Sequence, residues 1–262
     1  MKRQTIYYSS FKDNFTKTKL KTKVIDKNYK YIHKNIFYRG ISVFLYRFIA
    51  MPISYVFVKI KHNVKFKNKK ILKDLKSGAF LYANHSMAHA DPFIPTFAIF
   101  PKRNFLIVHP DNVSQFLVGN IMPMLGAMPL PSDLTAYKNF LKAIEFRVCE
   151  QNNIITIYPE ASIWPYYNSV RFFDSTSFTY PIKLDKPVYC MTNTFQKKKF
   201  SSKPKVTTFI DGPFYPNKEL SLKEQKDDLR DRVYSCMKDR CDKYSTYEYI
   251  KYVKKGEENT YD

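Results

Sequence analysis

From residue 79 onward, short and nearly continuous apolar runs alternate with amphipathic or polar stretches. Residues 79–83, 105–108, 154–158, 188–192 and 206–210 are apolar runs of strand length, the pattern of strands buried on both faces. Between the second and third runs, Tyr137, Phe140, Leu141, Ile144 and Val148 recur at helical spacing. They predict an amphipathic helix over roughly 134–150, capped by Ser132 or Asp133, with Phe146 off the stripe. Ser221 and Glu224 make a capping-box pair that opens a last long helix. Strands alternating with helices predict an α/β domain over 77–250, a mainly parallel sheet flanked by helices. Ligands of such sheets sit beyond the carboxyl ends of the strands.

Residues 41–60 break this pattern. ISVFLYRFIAMPISYVFVKI is the most apolar twenty-residue window, interrupted by Arg47, Pro52 and Lys59. Those interruptions count against a clean span and favour a kinked helix lying in one leaflet. Lys61, Lys65, Lys67, Lys69, Lys70, Lys73 and Lys76 follow it, and ten Lys/Arg against two Asp/Glu occupy residues 1–36. Such a collar suits anionic headgroups. Residues 1–76 therefore read as a basic arm leading into a membrane-docking helical segment, and residues 251–262 as a polar tail expected to fray. The opening residues lack the apolar core of a cleavable signal peptide.

Charge narrows the partners. The 262 residues carry 44 Lys+Arg and 23 Asp+Glu, a formal charge of +21. With 44% hydrophobic and 17% aromatic residues, the chain is nonetheless a folding one. Six scattered glycines match neither a Walker loop nor a dinucleotide fingerprint. Cys149, Cys190, Cys236 and Cys241 read as scattered reduced thiols; no zinc spacing is present, and no metal is expected. A basic, aromatic-rich chain could bind nucleic acid, but no zinc-finger or RRM signature supports that, and no nucleic-acid partner is expected.

Two predicted strand ends carry polar groups. The first runs Asn84-His85-Ser86-Met87-Ala88-His89-Ala90-Asp91-Pro92. A His followed by a carboxylate on a loop can make a general base whose tautomer the carboxylate fixes. Alternatively, Asp91 caps a helix started by Pro92 and His85 packs, or His89 takes the place of His85. The second run, Tyr158-Pro159-Glu160-Ala161-Ser162-Ile163, puts a carboxylate at the same sheet edge if the strands are parallel. His33, His62 and His109 lie outside these segments and read as non-catalytic.

Together these segments resemble the glycerolipid acyltransferase family typified by lysophosphatidic acid acyltransferase, as a divergent bacterial-type member. Asn84-His85…Asp91 is similar to its Asn-His-x4-Asp block, and Gly126-Ala127-Met128-Pro129-Leu130-Pro131-Ser132 to its Gly-x-x-x-Ile-x-Arg block. The Tyr158–Ile163 stretch is similar to Phe-Pro-Glu-Gly-Thr-Arg. Pro187-Val188-Tyr189-Cys190 stands where the family has Pro-Val-x-Pro, and Phe173…Phe178 keeps its Phe-x-x-x-x-Phe lead-in. Four blocks in order cover residues 75–215. Departures are specific: Asp91 is six after His85 rather than five, and Ser132 and Ile163 replace two acceptor-phosphate arginines.

The resemblance implies acyl transfer from acyl carrier protein or coenzyme A thioester to a lipid hydroxyl, such as that of 1-acylglycerol 3-phosphate. It implies His85 as base, Asp91 as its orienting group and no cofactor beyond the thioester. Glu160, Ser162 and Arg171 are the expected acceptor-binding residues, with Asn84, Gly126 and Pro187 as further motif positions. Lys102 or Arg103 could also supply the missing cation, or the acceptor lacks that phosphate. Oxyanion donors are expected among the backbone N–H groups near 126–128 or at the Asp91 helix start. The expected location is the cytoplasmic face of the cell membrane, peripheral or monotopic. The rival is a catalytically inactive membrane adaptor of the same fold.

Overall fold

All five predicted apolar runs become strands of one sheet. The computed structural model describes residues 4–15, 21–88, 90–116 and 118–256. Its strands are β1 (Gln4–Tyr8), β2 (Lys65–Lys67), β3 (Ala79–Ala83), β4 (Asn104–Val108), β5 (Ala127–Pro129), β6 (Ile154–Ile157), β7 (Val188–Lys198), β8 (Ser201–Phe214) and β9 (Ile250–Lys254). Seven of these form a sheet in the order β2-β8-β7-β3-β6-β4-β5. Every neighbouring pair is parallel except the β7–β8 hairpin.

Alternation along β3 divides the core. Phe80 and Tyr82 face a cluster with Phe140 and Val148 of the predicted amphipathic helix, Phe178, and Val233 and Met237 of the helix Leu222–Tyr244. Ala79, Leu81 and Ala83 face the other way, against Val58, Leu72 and Ile94. The amphipathic helix is α-helical over Leu134–Glu145 and widens into a π turn over Phe146–Glu150. That widening starts at the residue that fell off the stripe. Asp133 caps the helix by accepting from the Ala136 N–H at 2.8 Å, and Ser221 with Glu224 forms the predicted capping box.

The helix Ile36–Lys61 runs through Pro52 without interruption and is long and apolar enough to cross a membrane. Ser42, Tyr46, Ala50, Ser54 and Val58, four apart, are buried against the sheet domain. On an ideal helix a four-residue spacing drifts about 40° per step. The π turns Leu45–Ala50 and Val56–Lys61 wind more slowly and hold the stripe on one side. Pro52 follows the first of them, where the regular hydrogen-bond ladder is already interrupted. The inward stripe is small or polar, whereas Ile36, Phe37, Phe44, Phe48 and Ile60 stand outward and exposed. This polarity is reversed from that of a soluble amphipathic helix.

Two expectations, one about the C-terminal end and one about the cysteines, change. Residues 251–254, read as the start of a polar tail, belong with Ile250 to β9 and pair in parallel with β1. Tyr252 stacks on Trp164 at 4.9 Å, an aromatic anchor that composition alone hides. Cys190 and Cys236, read as scattered, lie with sulfurs 3.5 Å apart.

Candidate active site

The carboxyl end of β3 is fastened before it turns. Asn84 accepts from the Asn193 N–H at 2.8 Å and donates to the Asn193 carbonyl at 3.0 Å, so the buried amide continues the β3–β7 pairing through its side chain. His85 follows and leaves the sheet. Its N–H donates to Glu160 Oε1 at 2.9 Å, and its carbonyl accepts from the Trp164 N–H at 3.0 Å.

The His85 ring is held from two sides. Nδ1 lies 2.7 Å from Asp91 Oδ2, and the ring stacks on Tyr158 at 4.3 Å between centroids. The Asp91 side chain is 1% exposed and the His85 side chain 21%. Asp91 Oδ2 also accepts from the Met87 N–H at 3.0 Å, and the Tyr158 hydroxyl donates to the Asp91 carbonyl at 2.6 Å. With Nδ1 directed at a carboxylate, Nε2 is the nitrogen left to accept a proton.

The helix-cap reading of Asp91 does not hold. The helix Phe93–Ala98 has Pro92 at its cap and no side-chain cap bond. The Asp91 carboxylate turns back to His85 instead. A turn makes the six-residue separation workable, because the N–H groups of Ala90 and Asp91 both reach the Met87 carbonyl, at 2.7 and 2.8 Å. His89, the rival partner, lies outside the described residues.

Glu160 arrives at the same edge because β3 and β6 are parallel, with Tyr82 opposite Ile157. Its side chain is 3% exposed and pairs with the 1%-exposed Arg171 side chain at 3.0 Å. Oε2 accepts from both the Arg171 backbone N–H and Nε. Burial pushes the Glu160 carboxyl up, against the pull of the guanidinium and of two backbone N–H donors.

This closure bears on the residues expected to bind the acceptor. Arg171 donates from Nη1 to the Phe11 carbonyl and Ser162 Oγ, from Nη2 to the Ser162 carbonyl, and lies over Trp164. Ser162 Oγ in turn donates to the Asp13 carbonyl at 3.0 Å. Glu160, Ser162 and Arg171 are thus brought together, but they satisfy one another and the N-terminal segment rather than opening toward a ligand. Ser132 binds Ile25 through side chain and backbone, at 3.0 Å each, and Ile163 is buried. Lys102 and Arg103 are at the amino end of β4, away from His85, and bond Asn152 and Ser42.

The other motif positions shape the sheet. Gly126 has φ +104°, and a Cβ there would collide with the Asn104 carbonyl, so glycine permits the close approach of the chain to β4 as β5 begins. The Pro187 carbonyl accepts from the Phe80 N–H at 3.0 Å as β7 begins. The N–H groups of Gly126, Ala127, Asp91 and Phe93, expected as oxyanion donors, each bond a backbone carbonyl. Phe173 and Phe178 stack within the core.

Three contributors escaped the sequence reading: Tyr158 under the imidazole, Asn193 behind Asn84, and residues 11–13 over Arg171. Only Tyr158 had a signal, its place two residues before Glu160 in a recognisable block. Among the described residues, Cys190, Asp211 and Cys236 bring possible metal-ligand atoms within 4.8 Å of one another. Arg240 already holds both Asp211 oxygens, at 3.0 and 2.6 Å, and supplies the positive charge there.

No protein-family model matches the sequence, and no curated protein matches it. The fold is shared with the crystal structure of the 1-acyl-sn-glycerophosphate (LPA) acyltransferase PlsC from Thermotoga maritima. The superposition has a TM-score of 0.52 at 15% sequence identity and covers 78% of this chain and 89% of that one.

Proposed function

We propose that this chain transfers an acyl group from a thioester of coenzyme A or acyl carrier protein to a lipid hydroxyl, with His85 as general base. The observation that carries this reading is the 2.7 Å contact between His85 Nδ1 and buried Asp91. It holds a partly exposed imidazole at the carboxyl edge of a sheet whose fold an acyltransferase shares. Nε2 removes the acceptor hydroxyl proton as the oxygen attacks the thioester carbonyl carbon. The tetrahedral intermediate collapses, the C–S bond breaks, and the departing thiolate takes the proton from Nε2. Asp91 fixes the tautomer and stabilises the transient imidazolium, as a carboxylate partner does in triads. No acyl-enzyme and no cofactor enter this sequence.

Glu160 acts as a positioning residue, since its carboxylate holds the backbone of His85 itself. The first acceptor to test is 1-acylglycerol 3-phosphate. The second is a lipid hydroxyl without phosphate, because the Arg171 donors are spent inside the protein and Ser132 and Ile163 offer no guanidinium. The exposed side of Ile36–Lys61 and the +21 charge support docking on an anionic, cytoplasmic leaflet. Release of free thiol from acyl-coenzyme A or acyl-carrier-protein, measured with each acceptor, tests the proposal. Lipid-dependent thiol release that is lost in His85→Ala is the expected result. Its absence with every donor and acceptor pairing overturns the assignment.

A further inference from the structure

At the amino ends of β4, β5 and β6, opposite the His85 edge, lies a cavity of about 420 Å³. Among the described residues, Arg39, Arg103, Arg147, Lys30 and Lys34 line it, and no Asp or Glu does. The Arg103 and Arg147 guanidiniums lie over the same ring, Phe105, at 5.1 and 4.4 Å. Like charges in a half-buried space repel. Burial, together with Arg103 and Arg39, holds Arg147 down to about 10. Two buried donors on the wall, Arg103 Nε and the Tyr29 hydroxyl, have no hydrogen-bond partner among the described residues. Elsewhere in the protein Arg171 and Arg240 each carry a carboxylate. Arg103 Nη2 donates to Ser42 Oγ and the Met124 carbonyl, and Arg147 donates to Gln151 Oε1 and the Tyr31 carbonyl, but unlike Arg171 neither guanidinium meets a carboxylate among the described residues. A concave cluster of guanidiniums whose charge no acid offsets matches a phosphate group.

The rim identifies the source of that phosphate. Tyr38, Arg39, Ser42 and Val43, from the first turns of Ile36–Lys61, form one wall of the cavity. On the outward side of those same turns Ile36 and Phe37 are 76% and 79% exposed. A phospholipid beside this helix can lay its chains along the apolar side and put its headgroup among the arginines. We propose that this cavity is a binding site for the phosphate of an anionic membrane phospholipid, separate from the catalytic edge. It anchors the start of the helix at headgroup depth, and it does not rest on the acyl-transfer reading.

Calorimetric titration of the full chain with monomeric dihexanoyl phosphatidic acid, and separately with inorganic phosphate, tests the site. Wild type is expected to bind one lipid per chain and to bind it at least ~10-fold more tightly than inorganic phosphate. Arg103→Gln/Arg147→Gln should weaken lipid binding by at least ~10-fold, since charge-assisted bonds are the strong ones. Arg39→Gln, an exposed rim change that leaves the core intact, should weaken it severalfold and decides the matter if the double variant does not fold. Lys197→Gln/Lys198→Gln removes two charges on the distant β7–β8 hairpin and should leave affinity unchanged. Equal weakening in that control reduces the effect to net charge and overturns the site. Undiminished binding in the cavity variants, or inorganic phosphate bound as tightly as lipid, also overturns it.

Discussion

Replacing Glu160 by Gln removes the carboxylate bonded to Arg171, whose side chain is 1% exposed. The amide also turns a donor toward a group that only donates. Removing one partner of a buried pair costs about 3–5 kcal/mol, because the remaining charge is left uncompensated. For a chain of this size each kcal/mol lowers Tm by roughly 2–4 °C, so the expected drop is about 6–20 °C. Arg171→Met should cost less near pH 5 than at pH 7. Without the guanidinium, burial holds the Glu160 pKa above its unfolded value, so stability is greatest below the unfolded pKa and is lost as pH rises through the folded one. Glu160→Gln has no such escape, because Arg171 keeps its charge. The double variant should be less damaged than the sum of the singles. Thermal melts of the four proteins at pH 5 and pH 7 give the answer. A Glu160→Gln Tm within 2 °C of wild type, or strict additivity, refutes the reasoning. Because Glu160 holds the His85 backbone, surviving protein should lose kcat rather than raise the acceptor KM.

Other perturbations test neighbouring parts. Asp91→Asn should lower kcat by ~10²–10⁴ with little change in donor KM, since an amide can direct the wrong imidazole tautomer; steady-state kinetics on the folded variant decide this. Phe37→Ser with Phe48→Ser, at positions 79% and 68% exposed, should leave Tm unchanged but reduce co-sedimentation with anionic vesicles by at least ~10-fold. Trp164 is the single tryptophan and is fully buried beneath Phe11 and Phe15, at 5.9 and 5.3 Å. Phe11→Ala with Phe15→Ala should therefore red-shift its emission, and an unchanged spectrum would show that the N-terminal segment does not cover it in solution.

Much of the sheet was legible because its strands are continuous apolar runs bounded by polar turns. The short strands were not: Lys65–Lys67 and Ala127–Pro129 carry three residues each, too few for periodicity to register. β1 and β9 were missed for another reason, since their pairing is between the two ends of the chain and each lies within a highly charged stretch. At the site, His85 and Glu160 could be placed on one edge from strand order alone. The closure of Glu160 on Arg171 could not, because the ten residues between them loop back through contacts with Phe11 and Trp164. Motif position suggested a ligand contact for Ser162, and the missing family arginines suggested Arg171 as a substitute cation; packing turns both inward. The arginine cavity was likewise hidden, its lining drawn from residues spread over positions 29–153.

The most direct test of the account compares wild type with His85→Ala in lipid-dependent thiol release from an acyl thioester, alongside thermal melts of both. Truncation takes the imidazole away from the 1%-exposed Asp91 carboxylate, so Tm should fall, and the rates are compared at a temperature where the melts show both proteins folded. Loss of a general base lowers turnover ~10²–10⁴-fold. A folded His85→Ala protein that turns over at the wild-type rate contradicts the account.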